Sequence, residues 1–209
     1  MVLMLITSSA IIQHITKLRD TGKAMLAYFY FYFGDEEKQN ARDAVTSLLT
    51  QLSAYSKPCC DTIYRLYLAH GKGTQLPSYG ILVDCLKEML TVAGQHPIFV
   101  VMDALDECPD DGIPTPREEV LNLVEGLVGL HLPNLRICLT SRPLIDIRDA
   151  LQPLPIHCVS LHDQTGHRVD IQDYVRSVVS SASVMHMRSW RDADKKLVVD
   201  VLSERADGM

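Results

Sequence analysis

The chain has 209 residues, 47% of them apolar and 22% charged, with a formal net charge of −6. That length suits one α/β domain or a little more, and the balance is that of a globular protein, not a disordered or fibrous one. A negative chain without a basic cluster argues against nucleic acid or an anionic membrane as a partner.

The first apolar stretch, MVLMLITSSAII, has no basic residues before it and is broken by Thr7-Ser8-Ser9. It is too short to cross a bilayer and lacks the layout of a secretory signal. Residues 5–20 place Leu5, Ile11, Ile12, Ile15 and Leu18 at helical spacing and stop at Gly22, which predicts an amphipathic helix. Met25 to Phe33, MLAYFYFYF, reads as a buried strand. Asp35-Glu36-Glu37 then offers an N-cap and an acidic first turn for a helix carrying Ala41, Ala44, Val45, Leu48, Leu49 and Leu52 on one face. A further helix is predicted over Cys60 to His70, and another from a Ser78 cap to Ala93.

His96-Pro97 introduces the most informative run, Ile98-Phe99-Val100-Val101-Met102, followed at once by Asp103, Asp106 and Glu107. Four of these five apolar residues are β-branched or aromatic, as in a strand buried on both faces of a parallel sheet. A carboxylate at the carboxyl end of such a strand sits where open α/β sheets bind ligands, and a cation is the usual compensator of its charge. The plainer reading is a strand that ends in a solvated acidic turn.

A loop rich in Pro, Asp and Gly leads to a helix over about Arg117 to Leu130. Leu135 to Thr140 is the next strand, ending in Thr140-Ser141-Arg142-Pro143. Arg142 or Thr140 could reach a phosphate there, and Thr140 or Ser141 could equally cap the helix predicted over 144–151. Ile156 to Leu161 reads as a last short strand, and 169–181 and 192–205 as two helices. Strands alternating with helices predict an α/β fold, a parallel sheet with helices on both faces, as residues 1–162, followed by a small helical extension over 163–209.

The six cysteines, at 59, 60, 85, 108, 138 and 158, form no C-x-x-C pair and are expected to be reduced core residues of a cytoplasmic protein. His157, His162 and His167 recur every five residues, which shares a face in neither helix nor strand and argues against a metal site. The aromatic run 28–33 has no interleaved basic residues and reads as sheet core instead of a base-stacking platform.

Taken together, LAYFYFYFGDEEKQNARDAVTSLLTQL (26–52), HPIFVVMDALDEC (96–108), LPNLRICLTSRP (132–143) and LVVDVLSERADGM (197–209) resemble the NACHT domain of the STAND class of P-loop NTPases. More narrowly, they resemble the nephrocystin-like NACHT domains of fungal NOD-like receptors. The resemblance implies ATP or GTP binding with Mg²⁺, slow hydrolysis and nucleotide-driven homo-oligomerisation, with effector and sensor domains in a full-length relative. It assigns Asp103 to the metal, Glu107 with Asp106 to activation of the attacking water, and Thr140 and Arg142 to the phosphates. It also implies a first strand and a G-x-x-x-x-G-K-[ST] loop, and neither is found in these 209 residues. Gly22-Lys23 is followed by Ala24, and Gly71-Lys72-Gly73 has Leu66 where the first glycine belongs. The chain is therefore expected to be an internal piece of such a receptor. The alternative is a domain that binds no nucleotide and acts only through protein contacts.

Overall fold

The computed structural model describes residues 2–92, 96–159, 173, 175–177, 179 and 190–205, with backbone alone for 2–7 and 203–205. The chain divides into two compact units, residues 1–156 and 157–209.

In the first unit the order is α1 (Val2–Asp20), β1 (Met25–Tyr30), α2 (Ala41–Ser53), α3 (Lys57–Ala69), α4 (Tyr79–Val92), β2 (Ile98–Asp103), α5 (Pro116–Val128), β3 (Leu135–Leu139) and α6 (Ile145–Leu151). The three strands form one parallel sheet in the order β1-β2-β3. Met25 pairs with Ile98 and Tyr30 with Asp103, while Ile98 pairs with Leu135 and Met102 with Leu139. The α/β class and the parallel sheet expected from the sequence are what the chain forms.

Side chains alternate across a strand, so parity decides which layer each residue joins. Met25, Ala27 and Phe29 of β1, with Ile98, Val100 and Met102 of β2, face a large core completed by α2 to α5. That core includes all six apolar residues assigned to the inner face of α2. Leu26 and Val101 face the other way, against Ile12 and Ile15 of α1, with Tyr28, Tyr30, Phe99 and Cys138 packed around them. Helices thus cover both faces. By the same parity Asp103 and Thr140 lie on the α1 side of the sheet.

The edges differ. On the outer side of β1, Gln51 of α2 accepts from Tyr28 N at 3.1 Å and donates to Tyr28 O at 2.7 Å, and the Tyr55 hydroxyl donates to Leu26 O at 2.8 Å. An amide side chain and a phenol therefore do for β1 what another strand would do. Among the described residues no strand pairs with the outer edge of β3.

Several expectations need correction. β1 ends at Tyr30, not Phe33. Phe31 N still donates to Asp103 O, but Tyr32 N turns to Lys38 O, and Tyr32 and Phe33 are exposed, Phe33 at 66%. Asp35 caps a short 3₁₀ turn at Glu36–Lys38, and the N-cap of α2 is Asn40, whose side chain accepts from Asp43 N at 2.9 Å. The Ser56 cap starts α3 at Lys57, three residues ahead of the Cys60 start expected. The predicted strand 156–161 is absent over its described residues, 156–159, which are irregular. Pro153 and Pro155 just before it have no N–H to give a ladder, and Ile156 N bonds back to Leu154 O at 2.8 Å. Residues 160 and 161 lie outside the described residues.

In the second unit, α7 (Asp192–Arg205) forms where a helix was predicted. Of the other predicted helix, 169–181, residues 173, 175–177 and 179 are described and helical. Cys158 is exposed, as is Cys60 on α3, so these two are not core residues.

Candidate functional site at the carboxyl edge of the sheet

β2 ends in Asp103, and the chain leaves it through Ala104 at φ 57°, ψ 48°. A left-handed alanine costs roughly 1–2 kcal/mol. That conformation lets the chain wind at once into the 3₁₀ turn Leu105–Glu107. The neighbouring strand fixes the turn: Leu105 N donates to Thr140 O at 3.0 Å, and Ala104 N donates to Thr140 Oγ1 at 3.0 Å. The ends of β2 and β3 are thereby locked side by side.

Asp103 is 1% exposed. Its Oδ1 accepts hydrogen bonds from two hydroxyls, Ser8 of α1 and Thr140. Its Oδ2 is buried and has no hydrogen-bond partner among the described residues. A buried carboxylate oxygen left unpaired is costly, on the order of 1–3 kcal/mol or more. Its charge also acts on its neighbours. Burial and then Asp103 push the Tyr30 phenol above its ordinary pKa, and the same two causes raise the Cys138 thiol.

The three carboxylates of the D-A-L-D-E run are held in three different ways. The Asp106 side chain is 5% exposed and is bound by Arg142 through the backbone N–H, at 3.0 Å to Oδ1, and through Nε to Oδ2. Hydrogen bonding to Asp106 keeps the Arg142 guanidinium above its ordinary pKa. Glu107 is nearly buried, and its Oε2 accepts from Phe33 N at 3.1 Å. Asp103, Asp106, Glu107, Thr140 and Arg142, the five residues singled out in the sequence, therefore converge on one rim. Arg142 turns its guanidinium to Asp106, so among the described residues Asp103 is served by hydroxyls alone.

Two participants were not anticipated. Ser8 precedes Ile12 and Ile15 by four and seven residues, on the same face of α1, so its place against the sheet was readable from periodicity. Arg117 is buried beneath the acid turn, where it bonds the carbonyls of Asp106 and Cys108. Its position in the first turn of α5 gives no hint of that.

Among the described residues no group of three or more His, Cys, Asp and Glu side chains is arranged to hold a metal ion. The donors at hand are hard oxygens, the Asp103 carboxylate and the two hydroxyls on it, the type that Mg²⁺ takes. With so few protein ligands, an ion there would draw its remaining oxygens from water and from a phosphate ligand. His157 lies in the second unit, and His162 and His167 lie outside the described residues.

A three-stranded parallel sheet covered by helices on both faces, with polar groups gathered where β2 and β3 end, defines an α/β protein with its candidate site at the carboxyl edge of the sheet. The family model for the N-terminal region of nephrocystin 3 matches residues 5–142, which span all three strands and every residue of this rim. The chain belongs to that nephrocystin 3 N-terminal family. No curated protein and no solved structure matches it. Among the described residues no helix is long and apolar enough to cross a membrane.

Proposed function

We propose that the chain is the core of a NACHT-type signalling NTPase of the STAND class, with a site for Mg²⁺ and ATP or GTP at the carboxyl edge of its sheet. One observation carries this reading. Asp103 ends the central strand with one carboxylate oxygen buried and without a partner among the described residues, its other oxygen bound by a hydroxyl from the end of the next strand, whose arginine holds the neighbouring Asp106.

Bound Mg²⁺ would neutralise charge on the transferring phosphoryl group. Asp103 serves that ion, and Thr140 and Ser8 orient Asp103. Glu107, with Asp106, orients the attacking water. Arg142 exchanges Asp106 for phosphate oxygens when the nucleotide is present. The glycine-rich phosphate loop is not among these residues, so the backbone N–H groups that cradle β- and γ-phosphates are not supplied by them. Without those contacts these residues are expected to bind nucleotide in the millimolar range, about −4 kcal/mol. Nucleotide-driven homo-oligomerisation, effector and sensor domains in a longer relative, and a cytoplasmic location belong to the same reading.

A second reading is an interaction module that binds no nucleotide. It is favoured by the internal pairing of the site's own charges: Arg142 on Asp106, and Glu107 on the Phe33 amide.

Calorimetric titration with ATP and GTP, with and without Mg²⁺, separates the two. The NTPase reading expects Mg²⁺-dependent binding with a Kd of roughly 1 mM that disappears in Asp103→Asn. No Mg²⁺-dependent heat up to about 10 mM nucleotide, or binding indifferent to Asp103→Asn, leaves the interaction module.

A further inference from the structure

Arg117 stands in the first turn of α5, remote in sequence from β1 and β3, yet its side chain is 8% exposed and meets four acceptors. Nε donates to the Cys108 carbonyl at 3.0 Å and Nη2 to the Asp106 carbonyl at 3.1 Å. Nη1 reaches Asp146 at 2.9 Å and Asp110 at 3.3 Å. The two carbonyls belong to the turn that carries Asp106 and Glu107. Asp146 opens α6, just beyond the segment that carries Arg142. One guanidinium thus ties the turn after β2 to the segment after β3, and the Arg142–Asp106 pair ties the same two pieces a second time.

We infer that Arg117 is the positioning residue of the acid turn: it sets the direction in which the Asp106 and Glu107 carboxylates leave the chain, without touching a ligand. The shape of the group matters as much as its charge. Two carbonyls two residues apart, with a carboxylate beyond them, match the planar fork of a guanidinium and cannot all be met by an ammonium. A left-handed residue opens this turn at Ala104, so the backbone there needs such a restraint to hold one conformation. The consequence for nucleotide binding rests on the proposed NTPase reading; the positioning itself does not.

Two backbone amides report the two carboxylates directly. Arg142 N–H is bound by Asp106 and Phe33 N–H by Glu107. Amide hydrogen exchange of the full chain, resolved by residue, compares the unaltered chain with Arg117→Met, Arg117→Lys and Asp146→Asn. Arg117→Met is expected to speed exchange at Phe33 and Arg142 by about tenfold or more, while Ala27, Val100 and Val124 keep their protection. Arg117→Lys is expected to behave like Arg117→Met. Asp146→Asn, which leaves both carbonyl contacts in place, folds with a smaller change at the same two amides.

Unchanged exchange at Phe33 and Arg142 in Arg117→Met overturns the inference. A uniform loss of protection over the strands in both Arg117 variants, with no local change at the two amides in Asp146→Asn, also overturns it by reducing Arg117 to general support of the fold. The readout uses no nucleotide. Failure of the unaltered chain to bind ATP or GTP therefore counts against the NTPase reading alone.

Discussion

Thr140 and Asp103 are joined across neighbouring strands by a side-chain hydrogen bond, and the same threonine oxygen accepts the Ala104 amide at 3.0 Å. One hydroxyl therefore orients the buried carboxylate and fixes the departure of the chain from β2. Thr140→Val keeps the shape and removes the donor and the acceptor together. It is expected to cost about 1–3 kcal/mol in urea unfolding, because Ala104 N–H and Asp103 Oδ1 both lose a partner. Thr140→Ser should cost under about 1 kcal/mol. A larger loss in Thr140→Ser than in Thr140→Val would mean that the methyl group and not the hydroxyl matters.

Arg142 and Asp106 form a pair of unequal exposure, 64% and 5% at the side chains. Arg142→Ala leaves Asp106 buried with, among the described residues, only a backbone amide as partner. Its cost is expected at about 1–2 kcal/mol, below the 3–5 kcal/mol typical of a fully buried pair because water reaches the guanidinium. Most of that loss should return in the double variant Arg142→Ala with Asp106→Asn. A double-mutant cycle by urea unfolding measures the coupling, and a coupling near zero would contradict the pairing.

Asp146 gives the fold a defined acid response. Burial alone would raise its carboxyl, but the hydrogen bond from Arg117 and the backbone N–H groups at the start of α6 outweigh it, and the pKa falls below the ordinary 3.8. A depressed folded-state value stabilises the native state above the unfolded value and is lost as pH falls through the folded one. Stability measured from about pH 5 to pH 2 should drop more steeply in the unaltered chain than in Asp146→Asn. Parallel curves would contradict the assignment.

The cysteines divide by environment. Burial raises Cys108 to about 12, with Arg117 opposing and Glu119 adding to the shift, and burial with Glu88 raises Cys85 to about 11. Cys60 and Cys158 are exposed. Iodoacetamide at about pH 8 should alkylate Cys60 and Cys158 first, with Cys85 and Cys108 reacting only after unfolding, since the thiolate is the nucleophile. Modification of Cys108 at the rate of Cys60 would show that the turn after β2 opens in the native state.

Local patterning made the framework readable. The apolar runs 98–102 and 135–139 form the strands expected of them, the first largely buried and the second half-buried, and α2 has every inner-face residue where the 3.6-residue period puts it. The convergence of Asp103 and Thr140 on one rim followed from two parallel strands ending together. What the residues bind could not be read in this way. Arg142 chooses Asp106, Glu107 chooses the Phe33 amide, and Arg117 reaches back from α5, and each choice depends on a turn geometry set by tertiary contacts. The strand expected near residue 156 failed for a related reason: apolar residues make a strand only where a ladder partner exists, and Pro153 and Pro155 precede this one.

The central claim is that Asp103 is kept for a ligand and not for the fold. Urea unfolding of Asp103→Asn, without nucleotide, tests it most directly. A carboxylate held for a ligand contributes little to stability, because its buried charge and an Oδ2 with no partner among the described residues offset its two hydroxyl contacts. The variant is then expected to match or exceed the stability of the unaltered chain, within about 1 kcal/mol. A loss above about 2 kcal/mol would contradict the claim and make Asp103 a structural staple between α1, β2 and β3.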